Sequence, residues 1–295
     1  MFKGVYTVLV TPFTAEGRID VEGVKKNVEW QVSQGIHGVA AIGSTGEFAG
    51  LEDDEKEQVA QAVIETVNGR VPVVVGATAE STEKTIRYAK AAKRLGADGI
   101  LVLPSYYCNP NQEEIFAHFA RLADAVDIPV VIYNNPSTTG VDIKADTVAR
   151  MFNHSPNLST IKECTGDIKR VTEIRLLTGD KMTIFCGWED MAYESFVMGA
   201  LGWICVIGNV APRLSAKMFD LVQAGDLGGA WEIYKKLLPM LRALEYWGKA
   251  PQMLKYCLGK MGLAGGQARS PRLPLAPEEK AALDGFMKDM GAFEA

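Results

Sequence analysis

Ile100-Leu101-Val102-Leu103, then Asn111-Gln112-Glu113-Glu114, then Pro129-Val130-Val131-Ile132-Tyr133: within residues 100–133 lies the repeat that decides the fold. The two outer runs are continuously apolar instead of alternating, as in strands buried on both faces of a parallel sheet. Between them, Asn111 and Glu114 have the spacing of a capping box, and Ile115, Phe119, Leu122 and Val126 follow at helical intervals. Strand, helix and strand in about 30 residues make a βαβ unit, one turn of a βα repeat. Working outward, similar runs occur at Val5–Val10, Val39–Ile42 and Val73–Val75, and again at Thr160–Lys162, Thr183–Cys186 and Ile204–Ile207. Gly35, Gly69, Gly96 and Gly179 stand before strands, where a left-handed C-cap is expected. Pro72 and Pro129 open strands, where a missing N–H does little harm. Eight such units predict an α/β chain folded as a (β/α)8 TIM barrel. After about residue 210 the pattern changes, and Leu214–Ala224, Leu227–Trp247, Pro251–Met261 and Pro277–Met290 read as helices with no strand between them. The expected division is a barrel over 1–225 carrying the active site and a C-terminal helical extension over 226–295 packed on it. No Pro/Ser-rich linker separates the two, so one folding unit is expected.

Composition narrows the function. The 295 residues are 47% hydrophobic and 23% charged, and 31 Lys+Arg against 36 Asp+Glu leave a net charge of −5. A mildly acidic chain without a basic run is a poor partner for nucleic acid or an anionic membrane. No stretch reaches the roughly 20 apolar residues that span a bilayer. Met1-Phe2-Lys3-Gly4 runs into Val5–Val10 without a small-residue cleavage site, and reads as a first strand instead of a signal peptide. Cys108, Cys164, Cys186, Cys205 and Cys257 show neither close pairing nor metal spacing, which fits reduced thiols in the cytoplasm. His37, His118 and His154 are scattered, so neither a zinc site nor a Ser-His or Cys-His nucleophile system is expected.

In a parallel barrel the loops after the strands face the active site. They read Gly43-Ser44-Thr45-Gly46-Glu47 after the second strand, Pro104-Ser105-Tyr106-Tyr107-Cys108-Asn109-Pro110 after the fourth, and Tyr133-Asn134-Asn135-Pro136-Ser137-Thr138-Thr139-Gly140 after the fifth. The sixth strand contains Ile161-Lys162-Glu163, the seventh ends in Gly187-Trp188-Glu189-Asp190, and the eighth leads to Gly208-Asn209. Lys162 stands out, because charged residues in buried strands are rare unless paired. It either reaches the rim or pairs with a neighbour, or it is a desolvated amine with a lowered pKa that attacks a ketone to form a Schiff base. The second role needs a proton shuttle, which Tyr133 can supply, and a carboxylate holder, which the hydroxyls and N–H groups of Ser44 and Thr45 can supply. Gly43-Ser44-Thr45-Gly46 lacks dinucleotide-fingerprint spacing, and its glycines let backbone N–H groups face a small carboxylate as readily as a phosphate.

Gly43-Ser44-Thr45-Gly46-Glu47, Tyr133-Asn134-Asn135-Pro136 and Ile161-Lys162-Glu163, in this order and spacing, resemble the dihydrodipicolinate synthase / N-acetylneuraminate lyase family. The resemblance runs from Thr11-Pro12-Phe13 to Arg272-Leu273-Pro274-Leu275. It implies a class I, Schiff-base-forming pyruvate aldolase on a (β/α)8 barrel with a helical extension. Matched position by position, Lys162 is the Schiff-base lysine and Tyr133 relays protons to carbinolamine and imine. Ser44 and Thr45 hold the 2-oxo acid carboxylate and complete the relay. Tyr107 matches a tyrosine that reaches across a dimer interface, and Gly187 and the Ile204 carbonyl line the pocket. No metal or organic cofactor is implied, since the imine on Lys162 is itself the electron sink, and a homotetramer built as a dimer of dimers is expected.

The departures from the family pattern concern substrate. Thr138 stands where dihydrodipicolinate synthases carry an arginine that grips the aldehyde's carboxylate, and Ser44 replaces their usual threonine. Glu189 and Asp190 resemble the acids with which sugar-acid lyases bind hydroxyls, although acids are also favoured as caps of the next helix. These features favour a lyase acting on pyruvate or a 2-keto-3-deoxy sugar acid, and argue against a true dihydrodipicolinate synthase. The alternatives are 4-hydroxy-tetrahydrodipicolinate synthase, which joins pyruvate to aspartate semialdehyde, a dehydratase or deaminase using the same imine, and a catalytically silent 2-oxo acid sensor.

Overall fold

The computed structural model describes residues 2–291. Eight short parallel strands follow one another in chain order around a closed barrel: β1 (Gly4–Val8), β2 (Gly38–Ala41), β3 (Val73–Gly76), β4 (Gly99–Val102), β5 (Val130–Asn134), β6 (Thr160–Glu163), β7 (Thr183–Cys186) and β8 (Gly202–Cys205). The helices are α1 (Val21–Ser33), α2 (Asp53–Val67), α3 (Thr82–Leu95), α4 (Gln112–Ala125), α5 (Pro136–Thr139), α6 (Ala145–His154), α7 (Lys169–Thr178), α8 (Ala192–Val197) and α9 (Pro212–Gln223). Three further helices, α10 (Leu227–Tyr246), α11 (Ala250–Lys260) and α12 (Pro277–Met290), follow with no strand between them. The chain is a (β/α)8 TIM barrel with C-terminal helices.

Contacts group the chain into two units. The first is Val74–Ile204 with the residues up to Lys3, and the second is Gly4–Val73 with the chain from Cys205 onward. In the first unit β4, β5, β6 and β7 are buried at every position, and β6, Thr-Ile-Lys-Glu, buries the charged Lys162 and Glu163 among them. Asn111 caps α4 through its side chain, and Glu114 closes the capping box. In the second unit, α9 packs on α10, which packs on α11 and α12.

Two local expectations are corrected. The eighth strand is Gly202–Cys205 and not Ile204–Ile207. Val206 leaves the extended region (φ −102°, ψ −28°), and Ile207–Asn209 coil into a 3₁₀ turn. Gly202 does not look like a strand start, yet it pairs with Phe185 as Trp203 does with Cys186, and Trp203 is fully buried. Second, Gly179 has positive φ but ψ −159°, outside the left-handed helical region, whereas Gly96 is a true left-handed cap. Pro72 and Pro129 sit just before their strands, where their carbonyls accept the N–H of Val39 and Ile100.

Candidate active site

The register of β5, β6 and β7 sets Tyr133 beside Lys162 and Lys162 beside Phe185. Because side chains alternate across a strand, Asn134 and Glu163 point to the other face. There the Asn134 amide donates to Glu163 (3.1 Å) and Asp142 (3.1 Å), its carbonyl accepts from the Ile143 N–H, and Arg170 pairs with Asp142 (2.9 Å). Glu163 is buried, which raises its carboxyl pKa against the bonds from Thr165 and Asn134. That outer network clamps the two strands and leaves Lys162 and Tyr133 for the opposite face.

Lys162 is 4% exposed and Tyr133 6%. The ammonium nitrogen lies 4.3 Å from the centroid of the tyrosine ring and hydrogen-bonds its hydroxyl oxygen. The Asn135 amide donates to the same oxygen at 2.9 Å. Burial is the largest influence on Lys162 and disfavours its charge, but Tyr133, Cys164 and Glu189 together outweigh it and hold the pKa above the ordinary lysine range. The lowered pKa expected from desolvation alone is therefore not found. Burial pushes the Tyr133 phenol up to about 12 against the opposing field of Lys162. At neutral pH the pair rests as an ammonium beside a neutral phenol.

Gly187 follows β7 with its N–H bonded to the Glu163 carbonyl. A Cβ there would stand 2.1 Å from Cys164 Sγ and 2.8 Å from Lys162 Cε, so only glycine leaves room for the lysine side chain. Glu189, in a 3₁₀ turn over Glu189–Met191, is 3% exposed and acts electrostatically on Lys162. Trp188 and Met191, which precede that turn and α8, make no side-chain cap bond. Asp190 is half-buried, and Ile204 lies fully buried in β8. Thr138 is exposed on α5, and Tyr107 is 89% exposed on the loop after β4. The structure thus brings Lys162, Tyr133, Gly187 and Glu189 together.

Ser44 and Thr45 belong to the second unit, in the turn after β2. Thr45 is buried and Ser44 half-buried. Gly43 is forced by contact, since a Cβ would stand 2.5 Å from Val8 Cγ1. Glu47, read from sequence only as the end of the motif, is buried in an ion pair with Lys255 (2.6 Å). Asn135 was also missed. Its place two residues after Tyr133 in a Tyr-Asn-Asn-Pro turn was the available signal. Among the described residues no group of three His, Cys, Asp or Glu side chains is placed to hold a metal ion, and no helix is long and apolar enough to cross a membrane.

The dihydrodipicolinate synthetase family profile matches residues 1–290. The chain belongs to this family. Among curated relatives, a 4-hydroxy-tetrahydrodipicolinate synthase of Pelobacter propionicus is 38% identical, with 99% of each chain covered, and one of Rhizobium meliloti strain 1021 is also 38% identical, again over 99% of each. Among solved structures, dihydrodipicolinate synthase of Thermotoga maritima superposes with a TM-score of 0.95 at 33% identity, covering 99% of each chain. A dihydrodipicolinate synthase of Acinetobacter baumannii in complex with pyruvate gives a TM-score of 0.94 at 34% identity, covering 99% of this chain and 100% of that one. The expectation that this family member is not a true dihydrodipicolinate synthase finds no support in these relatives, which carry that name.

Proposed function

We propose that the protein is a class I pyruvate aldolase in which Lys162 forms an imine with the ketone of a 2-oxo acid, without metal or organic cofactor. The observation that carries this reading is the amine of Lys162, buried against the hydroxyl of Tyr133. That hydroxyl oxygen accepts from both Lys162 and Asn135, which leaves its own proton for a third partner such as the carbinolamine oxygen. Loss of the lysine proton lets the amine add to the ketone carbon. Protonation of the resulting hydroxyl expels water, and the protonated imine withdraws electrons from the adjacent carbon. To Ser44 and Thr45 this reading gives the carboxylate, and to Gly187 and the Ile204 carbonyl the pocket lining.

For the second substrate, the names of the curated relatives favour aspartate semialdehyde and hence 4-hydroxy-tetrahydrodipicolinate synthesis. Thr138 and Glu189 favour a second reading, a hydroxylated 2-keto-3-deoxy acid. A threonine supplies no bidentate clamp for the semialdehyde's carboxylate, and the buried Glu189 would suit a hydroxyl donor. Turnover of pyruvate with aspartate semialdehyde, together with growth of a diaminopimelate auxotroph, supports the first. Release of pyruvate from 2-keto-3-deoxy sugar acids without such growth supports the second. Dehydration or deamination would use the same imine but release no pyruvate.

A homotetramer built as a dimer of dimers belongs to the same proposal, supported by the protruding Tyr107. Sedimentation should give about four times the 32.1 kDa chain mass, and a monomer at micromolar concentration would contradict it. Five cysteines without a disulfide support a reducing compartment such as the cytoplasm.

A further inference from the structure

The turn Ile42-Gly43-Ser44-Thr45-Gly46-Glu47 is bounded by two residues ill suited to their backbone, Ile42 at φ 59° and Glu47 at φ 58°. A β-branched residue in the left-handed region is strained, and such a conformation persists only where its surroundings impose it. Inside the turn, the Glu47 N–H donates to the Ser44 carbonyl (3.1 Å) and the Thr11 hydroxyl donates to the Gly46 carbonyl (2.8 Å). The strongest tether is at the Glu47 side chain. One carboxylate oxygen accepts from Lys255 Nζ on α11 at 2.6 Å, and the other accepts from the Arg269 N–H at 2.9 Å. Both charged side chains are almost wholly buried, 4% exposed for Glu47 and 1% for Lys255. Lys255 Nζ also donates to the Gln267 carbonyl (2.9 Å) and lies 4.2 Å from the Phe13 ring centroid. No step of the proposed reaction uses this pair, although burying two charges is costly and apolar residues would fill the space at least as stably.

We infer that Glu47 and Lys255 are positioning residues that hold the strained turn in the conformation presenting Ser44 and Thr45. The inference rests on the assignment of Ser44 and Thr45 to the carboxylate of the 2-oxo acid. A short charge-assisted hydrogen bond fixes the carboxylate in direction as well as distance, whereas an apolar contact lets the turn slide. The C-terminal helix α11 is then part of the binding machinery, acting on substrate through the backbone of the turn.

The test is the pyruvate dependence of borohydride trapping on the full-length protein, with thermal unfolding measured in parallel for the wild type, Lys255→Met, Glu47→Gln and the double variant Glu47→Met/Lys255→Met. The single variants should unfold at lower temperature and need about tenfold more pyruvate for half-saturation, with the limiting trapping rate held to about twofold. In the double variant no unpaired charge is buried, so the unfolding temperature should recover while the half-saturating pyruvate stays raised. Recovery of both would make the pair purely structural and overturn the inference. If the single variants fail to fold, the double variant alone decides. No adduct in the wild type overturns the imine reading and this inference together, whereas normal half-saturation in the variants overturns this inference alone.

Discussion

Burial disfavours the charge on Lys162, but the hydrogen bond to the Tyr133 oxygen and the field of Glu189 favour it, and its pKa lies above the ordinary lysine value. Only the neutral amine attacks a ketone. The nucleophilic fraction therefore grows with pH, and the initial rate of imine formation should rise about tenfold per unit from pH 7 to 9. A rate already flat at pH 7 would show that the amine rests unprotonated. Gly187→Ala tests the geometry: its Cβ would strike Cys164 Sγ at 2.1 Å and Lys162 Cε at 2.8 Å. Displacing the lysine by about 1 Å should slow trapping about a hundredfold while circular dichroism stays native, and an unchanged rate would remove Gly187 from the site. Lys162 and Tyr133 were conspicuous in the sequence as a lysine and a tyrosine near the ends of buried strands, and the register sets them side by side. Their protonation was not legible, since it depends on Cys164 and Glu189, whose approach only the folded chain fixes.

Among the elements, β5 and β6 show how an ordinary sheet sets Lys162 beside Tyr133, the pair to which the proposal gives the chemistry. A slip of one residue in their register would turn Lys162 and Tyr133 to the helix side and bring Asn134 and Glu163 to theirs. The network of Asn134, Asp142 and Arg170 opposes that slip. Burial tends to raise the Asp142 pKa, but the bonds from Arg170, Lys144 and Asn134 prevail and bring it from 3.8 to about 2. A carboxyl with a depressed folded-state pKa stabilises the fold above the unfolded value and loses that contribution as pH falls through the folded one. Asp142→Asn should therefore cost about 2 kcal/mol at pH 7 and almost nothing at pH 2, measured by urea unfolding. Equal costs at both pH values would contradict this. Strands rich in Val and Ile were legible in the sequence, as was the Asn111–Glu114 cap of α4. The eighth strand was displaced because Gly202 carries no strand signature, and only pairing with β7 makes it part of one.

At the scale of the whole molecule, the βα repeat dictated a barrel, and the family assignment agrees with it over residues 1–290. The Glu47–Lys255 pair spans 208 positions of sequence, so no local pattern reveals it. Substrate choice is similarly obscure, because the proposed determinants, such as Thr138, are single side chains on a fold that the relatives share. The central claim is a covalent one. Incubation with pyruvate and borohydride, followed by intact-mass measurement and peptide mapping, should give one reduced pyruvyl adduct per chain, on Lys162, and none in Lys162→Ala. An unmodified chain, or an adduct on another lysine with Lys162 untouched, would contradict it.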